Sequence, residues 1–212
     1  MKKKIDIIGY GAGGHAGIII EIMNSQSSYE IIGLVDKNNS KKNFLKIPII
    51  GTDKDLKRLL KKTNKIFLGI ADINNTKKNF VIFKKLKKLG FKILPVIDKS
   101  SIISKSVIYG EGLKAFPGSI INANCKIGKN VLLNTGCIVE HDCKISDNVQ
   151  IGPGAYIGGS VIIKENTFIG LGSKINNNIQ IGKNCIIGSG SVVIKNIPDN
   201  QKYAGNPAKK IR

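Results

Sequence analysis

The chain contains two histidines, and one of them, His141, stands between two acids in Glu140-His141-Asp142. An imidazole accepts a proton near neutral pH, so this triplet suits a general base that relieves an attacking nucleophile of its proton. A carboxylate on the other ring nitrogen would fix the tautomer and stabilise the imidazolium. Asp142 and Glu140 both stand as that partner. Neighbouring residues on a flat strand point to opposite sides, so the pairing works either through a turn or across a subunit interface. The second histidine closes another constellation. Gly9-Tyr10-Gly11-Ala12-Gly13-Gly14 fits G-x-G-x-x-G and runs into His15. Glycines there let the backbone approach a phosphate, and the N-terminus of a following helix favours anions. Asp36 lies at the distance where such motifs place a ribose-binding acid. Taken alone, this loop reads as that of a dinucleotide-dependent oxidoreductase.

Two kinds of sequence must position these groups. Residues 1–95 alternate apolar runs with helical stretches, predicting strands at 5–9, 31–35, 66–70 and 91–94. Helices are predicted at 13–23, 53–62 and 76–89. Thr52 or Asp53 caps the second helix, and Gly90 ends the third. This alternation predicts an α/β, Rossmann-like small parallel sheet with covered faces. Ninety-five residues are few for a six-strand dinucleotide fold, which weakens the oxidoreductase reading.

From about residue 101 the period changes to six. Ile121, Ile127, Leu133, Val139, Ile145, Ile151, Ile157, Ile163, Ile169, Ile175, Ile181, Ile187 and Val193 are all aliphatic. The slot four residues further on holds small or β-branched residues, and all four cysteines (Cys125, Cys137, Cys143 and Cys185) fall in it. Six residues make one short strand and one tight turn, and three such units close an 18-residue triangular coil. The aliphatic residue points to the axis, and glycine or asparagine takes the turn. Stacked coils then share one core. Residues 96–212 are therefore expected to form an all-β parallel β-helix. The cysteines read as buried packing residues, and the chain shows no CxxC pair and no zinc spacing, so no metal site is expected. In this register His141 follows the inward Val139 and projects outward, where packing gives it no duty.

The formal net charge is +20. The lysines are spread along the whole chain, and arginine occurs only at Arg58 and Arg212. That pattern reads as a solvated basic surface rather than a nucleic-acid footprint, and it favours anionic substrates. No apolar run is long enough to span a membrane. Met1-Lys2-Lys3-Lys4 has the charge of a leader, but Ile5-Asp6-Ile7-Ile8-Gly9 behind it reads as a strand. The expected location is the cytoplasm.

Gly11-Ala12-Gly13-Gly14-His15-Ala16, joined to the hexapeptide pattern and to Asn134-Thr135-Gly136 before Glu140-His141-Asp142, resembles the NeuD/PglD-type sugar acetyltransferases. The resemblance covers nearly the whole chain and implies a left-handed β-helix and a homotrimer. It also implies acetyl-CoA as co-substrate and a nucleotide-linked amino sugar as acceptor, with His141 as base and Asp142 as the favoured acid. By the same resemblance Gly11, Gly13, Gly14 and His15 meet the nucleotide diphosphate, Asp36 and Lys37 the base and ribose, and Gly69 lines that pocket. Gly159 polarises the thioester carbonyl through its backbone, and Gly170, Leu171 and Ser189 line the pantetheine groove. At Gln150 some relatives carry a histidine that meets acetyl-CoA; this chain departs there. Tyr203-Ala204-Gly205-Asn206-Pro207-Ala208 resembles the closing motif of the wider superfamily, beside which Lys209 or Lys210 would meet a CoA phosphate. The implied reaction is N-acetylation of a UDP- or dTDP-linked 4-amino-4,6-dideoxy sugar for bacterial surface glycans. O-acetylation of a sialic-acid-type sugar, and a non-catalytic nucleotide-sugar-binding partner, are the alternatives.

Overall fold

The computed structural model describes residues 4–37, 42–72 and 76–211; Met1–Lys3 and Arg212, which entered the charge argument, lie outside them. The chain divides into two units, one of residues 1–72 with 81–96 and the other of 73–80 with 97–212.

The first unit is a six-stranded sheet. Its strands are β1 (Ile5–Tyr10), β2 (Tyr29–Val35), β3 (Asn43–Phe44), β4 (Ile47–Gly51), β5 (Lys65–Leu68) and β6 (Lys92–Ile93). They lie in the order β3-β4-β2-β1-β5-β6, parallel except for the β3–β4 hairpin. Helix α1 (Gly14–Asn24) buries Ala16, Ile19, Ile20 and Met23, spaced at helical period. The predicted lysine-rich helix is shorter than its pattern. A 3₁₀ turn over Asp53–Asp55 precedes α2 (Leu56–Leu60), which buries Leu56 and Leu59. Thr52 caps that turn in a reciprocal box with Asp55. Helix α3 (Thr76–Leu89) ends at Gly90, whose φ of +102° suits glycine.

The second unit is a three-faced coil of two-residue strands, each pairing in parallel with the strand 18 residues on. The first face runs from Val96–Ile97 through Lys114–Ala115, Leu132–Leu133, Gln150–Ile151, Phe168–Ile169 and Ile186–Ile187 to the closing strands. The second holds Ile102–Ile103, Ile120–Ile121, Ile138–Val139, Tyr156–Ile157, Lys174–Ile175 and Val192–Val193. The third holds Ile108–Tyr109, Lys126–Ile127, Lys144–Ile145, Ile162–Ile163 and Gln180–Ile181. The inward aliphatic slot is buried throughout the hexad series, and the four cysteines are fully buried and unpaired. Their thiols donate to backbone carbonyls where the coil offers one, as Cys143 does to Gly158 O at 3.1 Å. Burial pushes the Cys137 thiol up to about 12.

From Gly112 to Gly190 each corner turns on one left-handed residue. Glycines at 118, 136, 154, 172 and 190 serve the corner between the first and second faces. Asn124, Asp142, Ser160 and Asn178 serve the next corner, with φ between 58° and 62°. Asn130, Asn148, Asn166 and Asn184 serve the third. Asparagine tolerates this region because its short side chain bonds locally. In the third corner these side chains form a ladder in which Asn130 donates to Asn148, Asn148 to Asn166, and Asn166 to Asn184. Lys114, buried on the first face, donates to Asn130 Oδ1 at 2.9 Å and heads the ladder. Burial lowers its pKa to about 8.

Candidate active site

In the second unit, His141 and Asp142 occupy the corner between the second and third faces. The pairing is made within the turn. Asp142 has a φ of +61°, and this left-handed step brings its carboxylate beside the preceding residue instead of across the strand. Asp142 Oδ2 lies 2.8 Å from His141 Nδ1, and Asp142 Oδ1 accepts from Asn124 Nδ2 at 3.2 Å. The hydrogen bond that His141 donates to Asp142 raises the His141 pKa, and the same contact lowers that of Asp142. With Nδ1–H given to the carboxylate, Nε2 presents its lone pair outward. The imidazole is 59% exposed.

Glu140 is held elsewhere. Its two oxygens accept from Tyr156 Oη at 2.8 Å and Asn122 Nδ2 at 2.9 Å. Those bonds, Tyr156 first, lower its pKa. It adds negative potential near the ring, but it is Asp142 that touches the imidazole.

Gly159 lies one coil further along, under the ring. A Cβ there would stand 2.8 Å from both His141 Nε2 and Cε1, so the glycine makes room for the imidazole. The Gly159 N–H donates to Asn177 Oδ1, one coil further on, at 2.9 Å. Asn122, Asn124, Tyr156 and Asn177 were not among the sequence candidates. Three of them lie 18 residues from a candidate, at 140 − 18, 142 − 18 and 159 + 18, so the coil period was the signal that could have found them.

The remaining β-helix candidates sit apart from this corner. Gly170, Leu171 and Ser189 lie at the corner between the first and second faces, with Leu171 56% exposed. Gln150 faces outward on the first face between Leu132 and Phe168, is buried, and its Oε1 has no hydrogen-bond partner among the described residues. The second face thus has the candidate base at one edge and the candidate pantetheine contacts at the other.

In the first unit the glycine loop joins β1 to α1 at the carboxyl ends of the parallel strands, where open α/β sheets bind ligands. Gly11 has a φ of +103°, and a Cβ there would meet Gly69 O at 2.9 Å. Gly69 approaches α1 so closely that its own Cβ would meet that of Ala16 at 2.7 Å. Gly13 caps α1, and around it and Gly14 a Cβ would find open space. His15 stands half-buried in the first turn, with its backbone among the N–H groups that face an anion. Asp36 follows β2 and accepts from Ala12 N–H at 2.7 Å, so its carboxylate braces the loop; exposed Lys37 comes next. Tyr10 is almost fully buried and donates its hydroxyl to Asp53, which also accepts from Lys85 Nζ at 2.8 Å. Burial, then the bond to Asp53, raises the Tyr10 pKa. Burial works against ionisation of Asp53, but the bonds from Lys85 and Tyr10 outweigh it and lower the pKa. No helix among the described residues is long and apolar enough to cross a membrane.

Comparison with known proteins accounts for both units. Residues 6–86 match the PglD N-terminal domain. Residues 124–159, 142–177 and 160–195 each match the bacterial transferase hexapeptide of six repeats. GDP-perosamine N-acetyltransferase from Caulobacter crescentus, solved as a histidine-to-alanine mutant with CoA and GDP-perosamine, is 28% identical. The match covers 98% of this chain and 97% of that one, with a TM-score of 0.92. The acetyltransferase domain of PglB from Neisseria gonorrhoeae FA1090, in complex with acetyl coenzyme A, is also 28% identical, covering 99% and 100% with a TM-score of 0.87. WeeI from Acinetobacter baumannii AYE is 28% identical, covering 98% and 100% with a TM-score of 0.85. No curated protein sequence matches the chain. The coil is the left-handed parallel β-helix of the hexapeptide acetyltransferases.

Proposed function

The chain belongs to the NeuD/PglD-type sugar acetyltransferases, and we propose that it moves the acetyl group of acetyl-CoA to the amine of a nucleotide-linked 4-amino-4,6-dideoxy sugar. One observation carries the reading: an outward imidazole, held by Asp142 through Nδ1, lies with Nε2 over the Gly159 peptide. The sugar amine attacks the thioester carbon, and the carbonyl oxygen takes the negative charge. His141 Nε2 accepts the proton that the nitrogen sheds, and Asp142 stabilises the imidazolium. The tetrahedral carbon expels the CoA sulfur, which leaves as thiol after taking the proton from His141. The resemblance assigns the developing oxyanion to the Gly159 backbone, whose N–H would have to turn from Asn177 Oδ1 to take it.

The first unit supplies the nucleotide site. The α1 N-terminus and the Gly13-Gly14 stretch take the diphosphate, with Asp36 holding the loop in shape and Lys37 and Gly69 at the pocket wall. The sequence resemblance favours UDP or dTDP; the Caulobacter crescentus neighbour holds GDP-perosamine, so a GDP-linked acceptor joins the panel below. The reaction is placed in the cytoplasm, where four unpaired cysteines stay reduced, as a step in surface glycan synthesis.

A second copy of the chain completes the acetyl-CoA groove. The outward side of the second face carries Ile102, Ile120, Ile138 and Tyr156 in one column, with Ile102 62% and Tyr156 42% exposed. A head-to-tail ring covers such a face and sets the Leu171 and Ser189 edge of one copy against the His141 edge of the next. Closure at three copies gives the trimer.

Thiol release from acetyl-CoA is measured against UDP-, dTDP- and GDP-linked 4-amino sugars, 3-amino sugars and free sialic acid. Release with a 4-amino nucleotide sugar, falling roughly 10² to 10⁴-fold in His141→Ala, is expected. Release with sialic acid alone would move the activity to O-acetylation. Acetyl-CoA that does not bind would leave a nucleotide-sugar-binding protein.

A further inference from the structure

Glu140 does not touch the imidazole, yet its carboxylate is fixed firmly beside it. Oε1 accepts from Tyr156 Oη at 2.8 Å, and Oε2 accepts from Asn122 Nδ2 at 2.9 Å. Both donors are neutral, so they hold the group in place without cancelling its charge. They also keep it ionised, since these bonds, Tyr156 first, lower its pKa. Other carboxylates of the chain meet cations: Asp53 meets Lys85, Asp55 meets Arg58 and Asp199 meets Lys183. Among the described residues no lysine or arginine pairs with Glu140. Lys126 and Lys144 on the third face and Lys174 on the second stand exposed without reaching it. Tyr156 and Gly159 lie on the same coil, so the carboxylate that Tyr156 holds and the ring that stands over Gly159 share one edge of the second face. The field of Glu140 favours positive charge there, and it is one of the causes that raise the His141 pKa.

We infer that Glu140 is a specificity-determining residue, one that draws the acceptor to His141 as an ammonium ion and so selects an amine over a hydroxyl; this role rests on the acetyltransferase reading. An alkylamine carries its extra proton at neutral pH. A hydroxyl carries no charge and gains nothing from the field. Each carboxylate oxygen keeps a second lone pair beyond the one that Tyr156 or Asn122 uses, so neither bond has to break for a cation to approach. Two protons then leave the nitrogen. The first passes to solvent by way of the exposed imidazole and frees the lone pair for attack. The second leaves as the nitrogen–carbon bond forms, and His141 hands it to the CoA sulfur as the thioester bond breaks. Ammonium and acetyl-CoA thus give amide, thiol and one released proton.

Glu140→Gln removes the charge and keeps the shape, because Asn122 can turn its amide and accept from the new Nε2–H. Binding to the CoA-saturated protein is measured by calorimetry for the accepted 4-amino nucleotide sugar and for its 4-hydroxy counterpart. The ratio of the two Kd values cancels the contribution of the diphosphate. The wild type should prefer the amine by about tenfold. Glu140→Gln should lose most of that preference, with its Tm and its Kd for the 4-hydroxy sugar at wild-type values. Added salt should also shrink the wild-type preference. The chain as a whole carries a formal net charge of +20, and screening a field that repels ammonium would enlarge the preference instead. A wild type that binds both sugars equally overturns the inference, as does a preference that grows with salt. An undiminished preference in Glu140→Gln overturns it too, whatever happens to kcat, because Glu140 would then act on His141 alone. Should Glu140→Gln not fold, the wild-type salt series decides by its sign. No thiol release by the wild type with any acceptor overturns the acetyltransferase reading and the inference with it; turnover by the wild type separates the two.

Discussion

Replacing Gly159 by alanine isolates the placement of the imidazole. The glycine does not use the left-handed region, so alanine brings no backbone strain. The neighbours that its Cβ would meet are His141 Cε1 and Nε2 at 2.8 Å and Cδ2 at 3.4 Å. Carbon atoms in contact sit about 3.5–4.0 Å apart, so the ring must retreat by about 0.7–1.2 Å. Packing does not resist that movement, because the side chain is 59% exposed. The retreat is made at the expense of the 2.8 Å contact with Asp142 and of the line from Nε2 to the attacking amine. A misplacement of about 1 Å costs on the order of 10²-fold in rate. Thiol release should therefore show kcat reduced by about 10²-fold at an unchanged Tm. The acid limb of the pH profile should also move to lower pH, since the bond to Asp142 is what raises the His141 pKa. Gly136→Ala is the control. Its φ of +64° makes alanine strained while a Cβ meets nothing within 4 Å, so Tm falls and kcat holds. A Gly159→Ala enzyme within about threefold of wild-type kcat would show that the imidazole does not work from above this peptide, and the proton-transfer argument would fail with it.

Asp142→Asn keeps the turn, since Asn124 and Asn178 hold the same left-handed conformation one coil before and two coils after. Losing the carboxylate lowers the raised His141 pKa, so the acid limb of kcat/KM shifts to lower pH while the plateau falls by about tenfold or more; an unmoved limb would remove Asp142 as the partner. Lys114 has a folded pKa of about 8 against an ordinary 10.5, so the unfolded chain binds more protons and stability rises with pH between those values. Relative to Lys114→Met, the wild type should gain about 2 to 3 kcal/mol between pH 7 and pH 10 in urea unfolding at fixed protein concentration; a flat difference would show the ammonium to be solvated.

The coil was legible because its physics is periodic. An aliphatic residue every sixth position, with glycine or asparagine two to three residues later, dictated the inward slot, the corners and the outward course of His141. The first unit was less legible. The β3–β4 hairpin turns on Leu45 and Lys46, with φ of 49° and 65°. Hairpins of this geometry usually announce themselves by Asn-Gly or Asp-Gly, and Leu-Lys gives no such signal. The His141–Asp142 contact was obscured by the alternation rule for strands, which does not hold where the second residue turns left-handed. Asp36 was read toward a ribose from its spacing alone, and its bond to Ala12 N–H depends on where β2 ends against the loop. Gln150 was placed by resemblance, whereas its burial on the first face is set by tertiary packing that no local pattern encodes.

The placement of the chemistry follows from what the coil leaves free. Inward slots are filled by aliphatic and cysteine side chains, and strand backbones are paired on both sides, so the second and third positions of each corner are where a functional side chain can project. At the His141 corner those positions hold Ala123-Asn124, His141-Asp142, Gly159-Ser160 and Asn177-Asn178. The proposed base, its carboxylate, a gap for the ring and an acceptor beneath it arise by varying one repeat over three coils. The scaffold fixes their spacing to the rung of a parallel sheet, about 4.8 Å, without a loop or a hinge. The cost of that rigidity is exposure. Asp142 is 49% exposed and His141 more so, and hydrogen bonds to a developing charge weaken in water. Acetyl transfer from such a corner therefore requires a cover. In the proposed ring, the apolar column from Ile102 to Tyr156, whose last residue opens the strand that leads to Gly159, is where a neighbouring copy would supply it.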